Sequence, residues 1–559
     1  MFKQERNSLA KKVLIADEVP NICEKILKDS GIHVDLSYGL SLEELISKIQ
    51  EYDGIIVRSK TKITSEVIEA AKNLKIIGRP GAGVDNIDIE AANKKGIAVV
   101  ITPFSNKISV AELVFSYMIN LSRSIIEYDR ETKKGEWKKG RLSGKSELYG
   151  KTIGIVGLGN IGKEVAKRAE GFGMKVIYYD PFIKQQNKYK QKTLEELFRE
   201  SDFVTIHIPA KEDTTNLITY KLLSRLKKNA VFINTSRAKV VERNALEKIL
   251  EERKDIRIGL DVFYNEKNIT ELKNEIEKLA KFKDRVILTP HIGASTHDAQ
   301  VRGAKGIAEQ IVEFFRSGRA PFALNIEKLD EEYIPYRKLA EKLAYLACHI
   351  IKIKPTKVEI TCYGELEKYS KALLNIALMP VLRYKSDLSV NEINASYLAR
   401  ERKIETRIRK PDNSKGYGNT ITLDLIVNSD NAISIRGTID EDKVEFMRIG
   451  EYESDSSFGG EGKKLMAIYD KSHGILEAIA HVFAKYKIDI LSTNLGRDIK
   501  KGKELLFLTF EKDKSLTNRQ LSEIKEEILK RRGKSIKDNI NVYQVKPVSY
   551  THLTLPTKA

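Results

Sequence analysis

Short apolar runs recur along the first half of the chain, separated by longer stretches whose apolar residues return every three or four positions. The first runs are Val13–Ala16, Gly54–Val57, Lys75–Gly78 and Ile97–Ile101. The pattern resumes at Ile153–Val156, Lys175–Tyr179, Phe203–Ile206, Ala230–Asn234, Arg257–Leu260 and Val286–Leu288. Strands alternating with helical stretches predict parallel sheets covered by helices. One long amphipathic helix is expected over about Ser109–Lys133 and another over about Thr296–Ser317. The second should return to pack on the first unit, making that unit discontinuous.

Beyond a linker at Pro321–Asn325 the pattern changes. Residues 326–455 mix a helix, Tyr336–Ile351, with strands such as Lys357–Cys362 and Thr420–Val427, and Pro411–Gly418 reads as a loop. Residues 463–546 read strand, helix, strand, strand, helix, strand, the order of a ferredoxin-like module. The expected fold class is α/β: two doubly wound parallel-sheet domains, an α/β intervening domain and a βαββαβ module. The expected division is 1–107 with 290–324, then 108–289, 325–460 and 461–547, followed by an unstructured, Thr-rich tail at 548–559.

Composition narrows the class. With 559 residues and 41% hydrophobic content the chain can build several cores. Cys23, Cys348 and Cys362 lack metal-ligand spacing, so no metal is expected and the thiols should stay reduced in a cytoplasmic protein. The N-terminus is charged without an apolar core, and no apolar run is long enough to span a membrane. The net charge of +19 is spread along the chain and interleaved with acids, without a basic, aromatic-studded helix, so no nucleic-acid partner is expected. Such a surface can still steer anions.

The most specific motif lies between the strands around Ile155 and Val176. Gly157, Gly159 and Gly162 form G-x-G-x-x-G before a helix starting near Asn160, and Asp180 closes the second strand. The glycines permit a tight turn, backbone approach to a pyrophosphate and close helix packing, and the helix N-terminus faces the phosphates. An acid at position 180 suits ribose hydroxyls and repels a 2′-phosphate, favouring NAD over NADP. The plainer alternative is a glycine-rich turn in an ordinary βαβ unit. Arg237, Glu266 and His291 each follow a strand, where open parallel sheets place ligands. A histidine can take a hydroxyl proton, a carboxylate can hold the imidazole, and an arginine can grip a substrate carboxylate. The plainer alternative is a surface arginine, a solvated acid and a satisfied histidine.

Six ordered motifs carry a resemblance: PFSNKISVAEL, GKTIGIVGLGNIG, HIP, INTSRA, GLDVF and TPHIGAST. With them the chain resembles the D-2-hydroxyacid dehydrogenase family over about residues 11–546, most closely its branch acting on D-3-phosphoglycerate. The resemblance implies that Arg237 binds substrate, His291 is the acid/base and Glu266 its partner. It places Asn160, Ile161, Thr235, Ser236 and Gly293 at the cofactor, His207 and Pro209 at the adenine, and Asp261 on the nicotinamide side. Arg58 and Lys60 match the family's phosphate-binding pair, Ala82 and Gly83 its carboxylate-binding amides, and Asn106 a substrate-side asparagine. It also implies NAD as cofactor, D-3-phosphoglycerate as substrate, a homodimer or homotetramer, and an amino-acid effector at a C-terminal ACT module.

The match is imperfect. His473-Gly474 stands where the module usually has Pro-Gly, and Asp489 where Asn is usual, which sets a carboxylate against an amino-acid effector. Pro80, Lys239 and Lys267 are loop departures beside the site. Two other functions stay open: reduction of hydroxypyruvate or another 2-oxo acid, and an NAD-sensing corepressor that does no chemistry.

Overall fold

The structure, a computed structural model, describes residues 11–545 except 138–145, 184–187, 267, 412–417, 430, 460–462, 471–472, 499–502, 512–514 and 533–540. The tail at 548–559, Lys267 and most of the loop expected at Pro411–Gly418 lie outside the described residues.

The first sheet has five parallel strands: β1 (Lys12–Ile15), β2 (His33–Leu36), β3 (Gly54–Ile56), β4 (Ile76–Arg79) and β5 (Ala98–Ile101), in the order β2-β1-β3-β4-β5. Val13, Ile15, Ile55, Ile56, Ile77, Val99 and Val100 are fully buried, as expected of strands covered on both faces. The run HVDL of β2 was missed in the sequence. It is an edge strand with a mixed polar pattern, and only Val34 is buried.

The second sheet has seven parallel strands: β6 (Thr152–Val156), β7 (Lys175–Tyr179), β8 (Lys190–Gln191), β9 (Phe203–Ile206), β10 (Val231–Asn234), β11 (Arg257–Leu260) and β12 (Val286–Leu288). Their order is β12-β11-β10-β9-β6-β7-β8.

The chain crosses between these sheets twice. After β5 it enters helix Lys107–Arg123, which packs Val114, Phe115, Met118 and Leu121 on Ile153, Ile155, Val231 and Ile233 of the second sheet. After β12 it returns through helix His297–Ser317, which packs Ala304, Ile307, Ala308 and Ile311 on Val13, Ile15, Ile56 and Val100 of the first. Gly78 allows that approach, since a Cβ there would sit 3.0 Å from Ile307 and 3.1 Å from Ile311. The crossings are tied together: Ser109 Oγ donates to Gly293 O (2.7 Å) and Arg302 Nε to Ser105 O (3.0 Å).

The single helix expected over Ser109–Lys133 is instead two, Lys107–Arg123 and Ile125–Lys133. Ser124 breaks it by adopting a left-handed conformation (φ 53°). The physical division is sharp, because the first helix buries nine residues and the second none.

The remainder forms one mixed ten-stranded sheet: β13 (Lys357–Cys362), β14 (Glu405–Arg409), β15 (Thr420–Asn428), β16 (Asn431–Asp440), β17 (Lys443–Ile449), β18 (Tyr452–Gly459), β19 (Lys463–Asp470), β20 (Ile490–Asp498), β21 (Lys503–Phe510) and β22 (Asn541–Val545). Helices Pro335–Ile351 and Ser370–Arg383 pack Leu339, Leu343, Leu373 and Ala377 on Val358, Ile360, Leu423 and Leu425. The last four strands run β20-β21-β19-β22, the ferredoxin-like order. The sheet continues across the expected boundary near residue 460, where β18 meets β20 at Glu453 and Arg497. The segment around residue 391 docks back on the first domain, with Asn391 Nδ2 donating to Gly96 O (2.7 Å).

Candidate functional site

Doubly wound sheets bind ligands where the strand order reverses. The first sheet reverses between β1 and β3, and the second between β6 and β9. Asp17 follows β1. It is 5% exposed and accepts bonds from Arg58 N (2.6 Å), Thr61 N (3.2 Å) and Thr61 Oγ1 (2.8 Å), which folds the loop after β3 around it. Asn86 closes the arrangement. Its Nδ2 donates to Arg58 O (2.7 Å) and Thr61 O (2.6 Å), and its Oδ1 accepts Arg79 Nε (2.9 Å).

Arg79, Asp17 and Asn86 were not picked out in the sequence. Arg79 ends β4, so the strand-end rule that singled out Arg237 would have found it. Burial pushes the Arg79 guanidinium pKa down, Asp85 opposes this, and Arg237 and Arg58 push it down further. Arg237 and Arg58 thus lie near enough to disfavour the charge on Arg79, an effect an anion bound beside it would relieve. Lys60 is exposed on the same loop. The Ala82 and Gly83 N–H groups have no acceptor among the described residues. A side chain on Gly83 would collide with the Arg237 guanidinium.

In the second domain, Gly157 adopts φ 94°, and a Cβ on Gly162 would overlap the Gly157 carbonyl. Gly159 faces open space and precedes helix Asn160–Gly171 without a side-chain cap. The first helical N–H groups therefore remain available to an anion. Asp180 is 9% exposed and braces this loop by accepting Leu158 N (3.0 Å) and Phe182 N (2.9 Å). A carboxylate retains further acceptor sites after two such bonds.

Among the described residues, Asn106 Oδ1, His207 Nδ1 and Thr235 Oγ1 are buried without partners. Leaving such groups unsatisfied costs about 1–3 kcal/mol each, so each is a candidate for a ligand contact. Burial pushes His207 down to about 3, keeping its ring neutral. An open glycine turn, an uncapped helix start and orphaned polar atoms fit a dinucleotide. Pro209 is exposed beside them.

Arg237, Glu266 and His291 meet between the domains. The Glu266 Oε2 lies 2.8 Å from His291 Nδ1, and Oε1 accepts Phe263 N (3.0 Å). Burial raises the Glu266 pKa, but the His291 and Phe263 hydrogen bonds and the nearby charges of His291 and Arg237 outweigh it, leaving a net lowering. The Glu266 hydrogen bond raises the His291 pKa above its ordinary value against the effect of burial. His291 itself sits at φ 54°, an uncommon backbone conformation for this residue.

Asp261 holds that conformation. It is fully buried and takes Thr289 Oγ1, Ile292 N (2.8 Å) and Gly293 N (2.8 Å), the residues flanking His291. Both of its oxygens are thus turned toward the chain. Arg237 Nη1 donates to Ser236 O (2.8 Å) and Nη2 lies 3.4 Å from Asp85. Ser236 N and Oγ donate to Asn234 Oδ1, closing the turn before Arg237.

A family model described as "D-isomer specific 2-hydroxyacid dehydrogenase, NAD binding domain" matches residues 115–293, and one for the "D-3-phosphoglycerate dehydrogenase intervening domain" matches residues 332–450. The chain is similar to the D-3-phosphoglycerate dehydrogenase of Methanocaldococcus jannaschii, with 35% identity over 529 residues, 92% of this chain and 97% of that one. It is also similar to the D-3-phosphoglycerate dehydrogenase of Synechocystis sp., with 34% identity and 92% of each chain covered. Among solved structures, a glyoxylate reductase from Paecilomyes thermophila aligns with TM-score 0.51 and 26% identity, covering 56% of this chain and 98% of that one.

The Glu266 contact makes a direct prediction. Glu266→Gln removes the anion that raises the His291 pKa, so the imidazole titration followed by NMR should move to lower pH. An unmoved midpoint would show that another group sets the pKa.

Proposed function

The chain belongs to the D-isomer specific 2-hydroxyacid dehydrogenase family, among its phosphoglycerate dehydrogenases, and from that premise we propose how its residues perform the reaction. The reaction is NAD-dependent oxidation of D-3-phosphoglycerate to 3-phosphohydroxypyruvate, the first step of phosphorylated serine synthesis.

The observation that carries the assignment of roles is the His291–Glu266 pair. Because Nδ1 faces Glu266, Nε2 is left to face a substrate hydroxyl. In oxidation, His291 Nε2 takes the C2-hydroxyl proton, and Glu266 stabilises the imidazolium that results. Bound NAD supplies the hydride acceptor. Arg237 with the Ala82 and Gly83 amides holds the substrate carboxylate, and Arg58, Lys60 and Arg79 hold the phosphate. Asn106, His207, Thr235 and the Gly157–Gly162 loop form the surrounding cofactor and substrate contacts. Asp180 flanks the ribose.

The raised His291 pKa sets the pH dependence of each direction. Alcohol oxidation needs neutral imidazole and should rise as pH passes upward through that pKa, whereas keto-acid reduction needs imidazolium and should fall over the same range. His291→Ala should lower turnover at least ~10²-fold, the scale of a general acid/base. Unchanged turnover would remove His291 from that role. Arg58→Ala should raise KM for 3-phosphohydroxypyruvate by about tenfold or more, the scale of a lost charge-assisted hydrogen bond, and leave KM for hydroxypyruvate within about threefold. Equal effects would move the phosphate elsewhere.

The C-terminal βαββαβ module is proposed as an effector site and the protein as a cytoplasmic homodimer or homotetramer. Exposed Ile125, Ile126 and Leu491, which a partner copy would cover, support the assembly, and sedimentation velocity reads it. Asp489 is exposed just before β20 and would repel a carboxylate ligand there. Serine should therefore inhibit weakly, and Asp489→Asn should strengthen inhibition. Equal inhibition of both proteins would place the effector away from Asp489.

A further inference from the structure

Tyr264 joins the two loops that carry Arg237 and Glu266. Its hydroxyl donates to the carbonyl of Val241, which is 2% exposed and ends the turn starting at Arg237. That turn is short and self-bonded: Val240 N donates to Arg237 O (3.4 Å) and Val241 N to Ala238 O (2.9 Å). Its first residue is held by Asn234 Nδ2 on Arg237 O (3.0 Å). Tyr264 itself lies two residues before Glu266, and its N–H donates to both oxygens of Glu275 (3.1 Å each) on helix Ile269–Ala280.

Val240 and Val241 of the turn are buried in the core of the second sheet, with open space beside them. A cavity of about 320 Å³ opens there, lined by Asn234, Ala238, Val241, Leu260, Val262 and Tyr264. Segment 216–220 holds the turn from the side, through Ile218 N on Val240 O (3.0 Å) and Glu242 N on Ile218 O (2.9 Å). Across the cavity, the hydroxyl of Tyr264 ties the Glu266 loop to the turn directly at Val241 O and to the flanking segment at Asn216 Oδ1 (3.4 Å).

We propose that Tyr264 is a positioning residue for Arg237, a strut that sets the substrate-carboxylate grip at a fixed separation from the Glu266–His291 pair, with Glu275 anchoring its backbone. The proposal rests on the dehydrogenase reading given above. Tyr264→Phe keeps the ring and removes the bond to Val241 together with a longer one to Asn216 Oδ1 (3.4 Å). Without them the Arg237 turn loses its side-chain tie to the Glu266 loop, and the guanidinium is no longer held at a set distance from the Glu266–His291 pair.

The test uses the full chain and NADH-dependent reduction of 3-phosphohydroxypyruvate. Tyr264→Phe should raise KM for the keto acid about tenfold, the size of coupling between contacting groups, with KM for NADH within about twofold. In an Arg237→Lys background the same change should add less than about twofold, because the grip it positions is already altered. Glu275→Gln, which keeps an acceptor for Tyr264 N–H, should retain activity that Glu275→Ala loses. A purely structural Tyr264 would lower Tm, leave both KM values near wild type and act additively with Arg237→Lys, and that result overturns the proposal. If the wild-type protein reduces no 2-oxo acid, the dehydrogenase reading fails and the strut with it. An active wild type matched by Tyr264→Phe sinks the strut alone.

Discussion

A buried carboxylate sets the geometry on which the site depends. Asp261 lies at the end of β11 with no exposure to solvent, and a charge there is tolerable only if fully hydrogen-bonded. It meets that demand with Thr289, Ile292 and Gly293, all in the segment where the chain leaves the second sheet for the first. Satisfying Asp261 therefore fixes the crossing and carries His291 into its left-handed backbone conformation. Tyr117 reinforces the same point from the other crossing, donating to Leu260 O (3.1 Å) and meeting Thr289 through its hydroxyl. Both crossings are thus tied to one buried group, and the imidazole faces a cleft whose other wall belongs to the first domain.

That wall is organised by the same logic, around a second buried carboxylate. Asp17 draws the backbone of Arg58 and Thr61 inward, and Asn86 links this loop to Arg79. The result is a cluster of like charges at the switch point of the first sheet, facing Arg237 across the cleft. Neither domain holds all the groups needed for a phosphorylated 2-hydroxy acid, so the proposed chemistry depends on the crossings that bring the two walls together.

Much of this was legible in the residues. Strands such as Ala98–Ile101 and Val231–Asn234 are buried on both faces and consist of apolar residues throughout or nearly so, a local pattern that requires no tertiary knowledge. Arg237, Glu266 and His291 were legible because each follows such a strand. Asp17, Asn86 and Arg79 were not, since their roles appear only once the order β2-β1-β3-β4-β5 places loops distant in sequence side by side. The Ser124 break was hidden because apolar Ile125 and Ile126 continue a helical spacing that the backbone does not follow. The continuous C-terminal sheet was hidden for a related reason: β18 and β20 meet across a long sequence gap, at a boundary where composition alone suggests two modules. The part Asp261 plays in holding the segment around His291 was also hidden, because its partners Thr289, Ile292 and Gly293 lie about thirty residues away.

The cluster around Arg58, Lys60 and Arg79 is proposed to recognise a phosphate. The most direct measurement is the rate of NADH loss with 3-phosphohydroxypyruvate against hydroxypyruvate under one set of conditions. Two or more charge-assisted hydrogen bonds to the phosphate predict a kcat/KM at least ~10²-fold higher for the phosphorylated acid. Equal values for the two acids would contradict the claim and leave a general 2-oxo acid reductase.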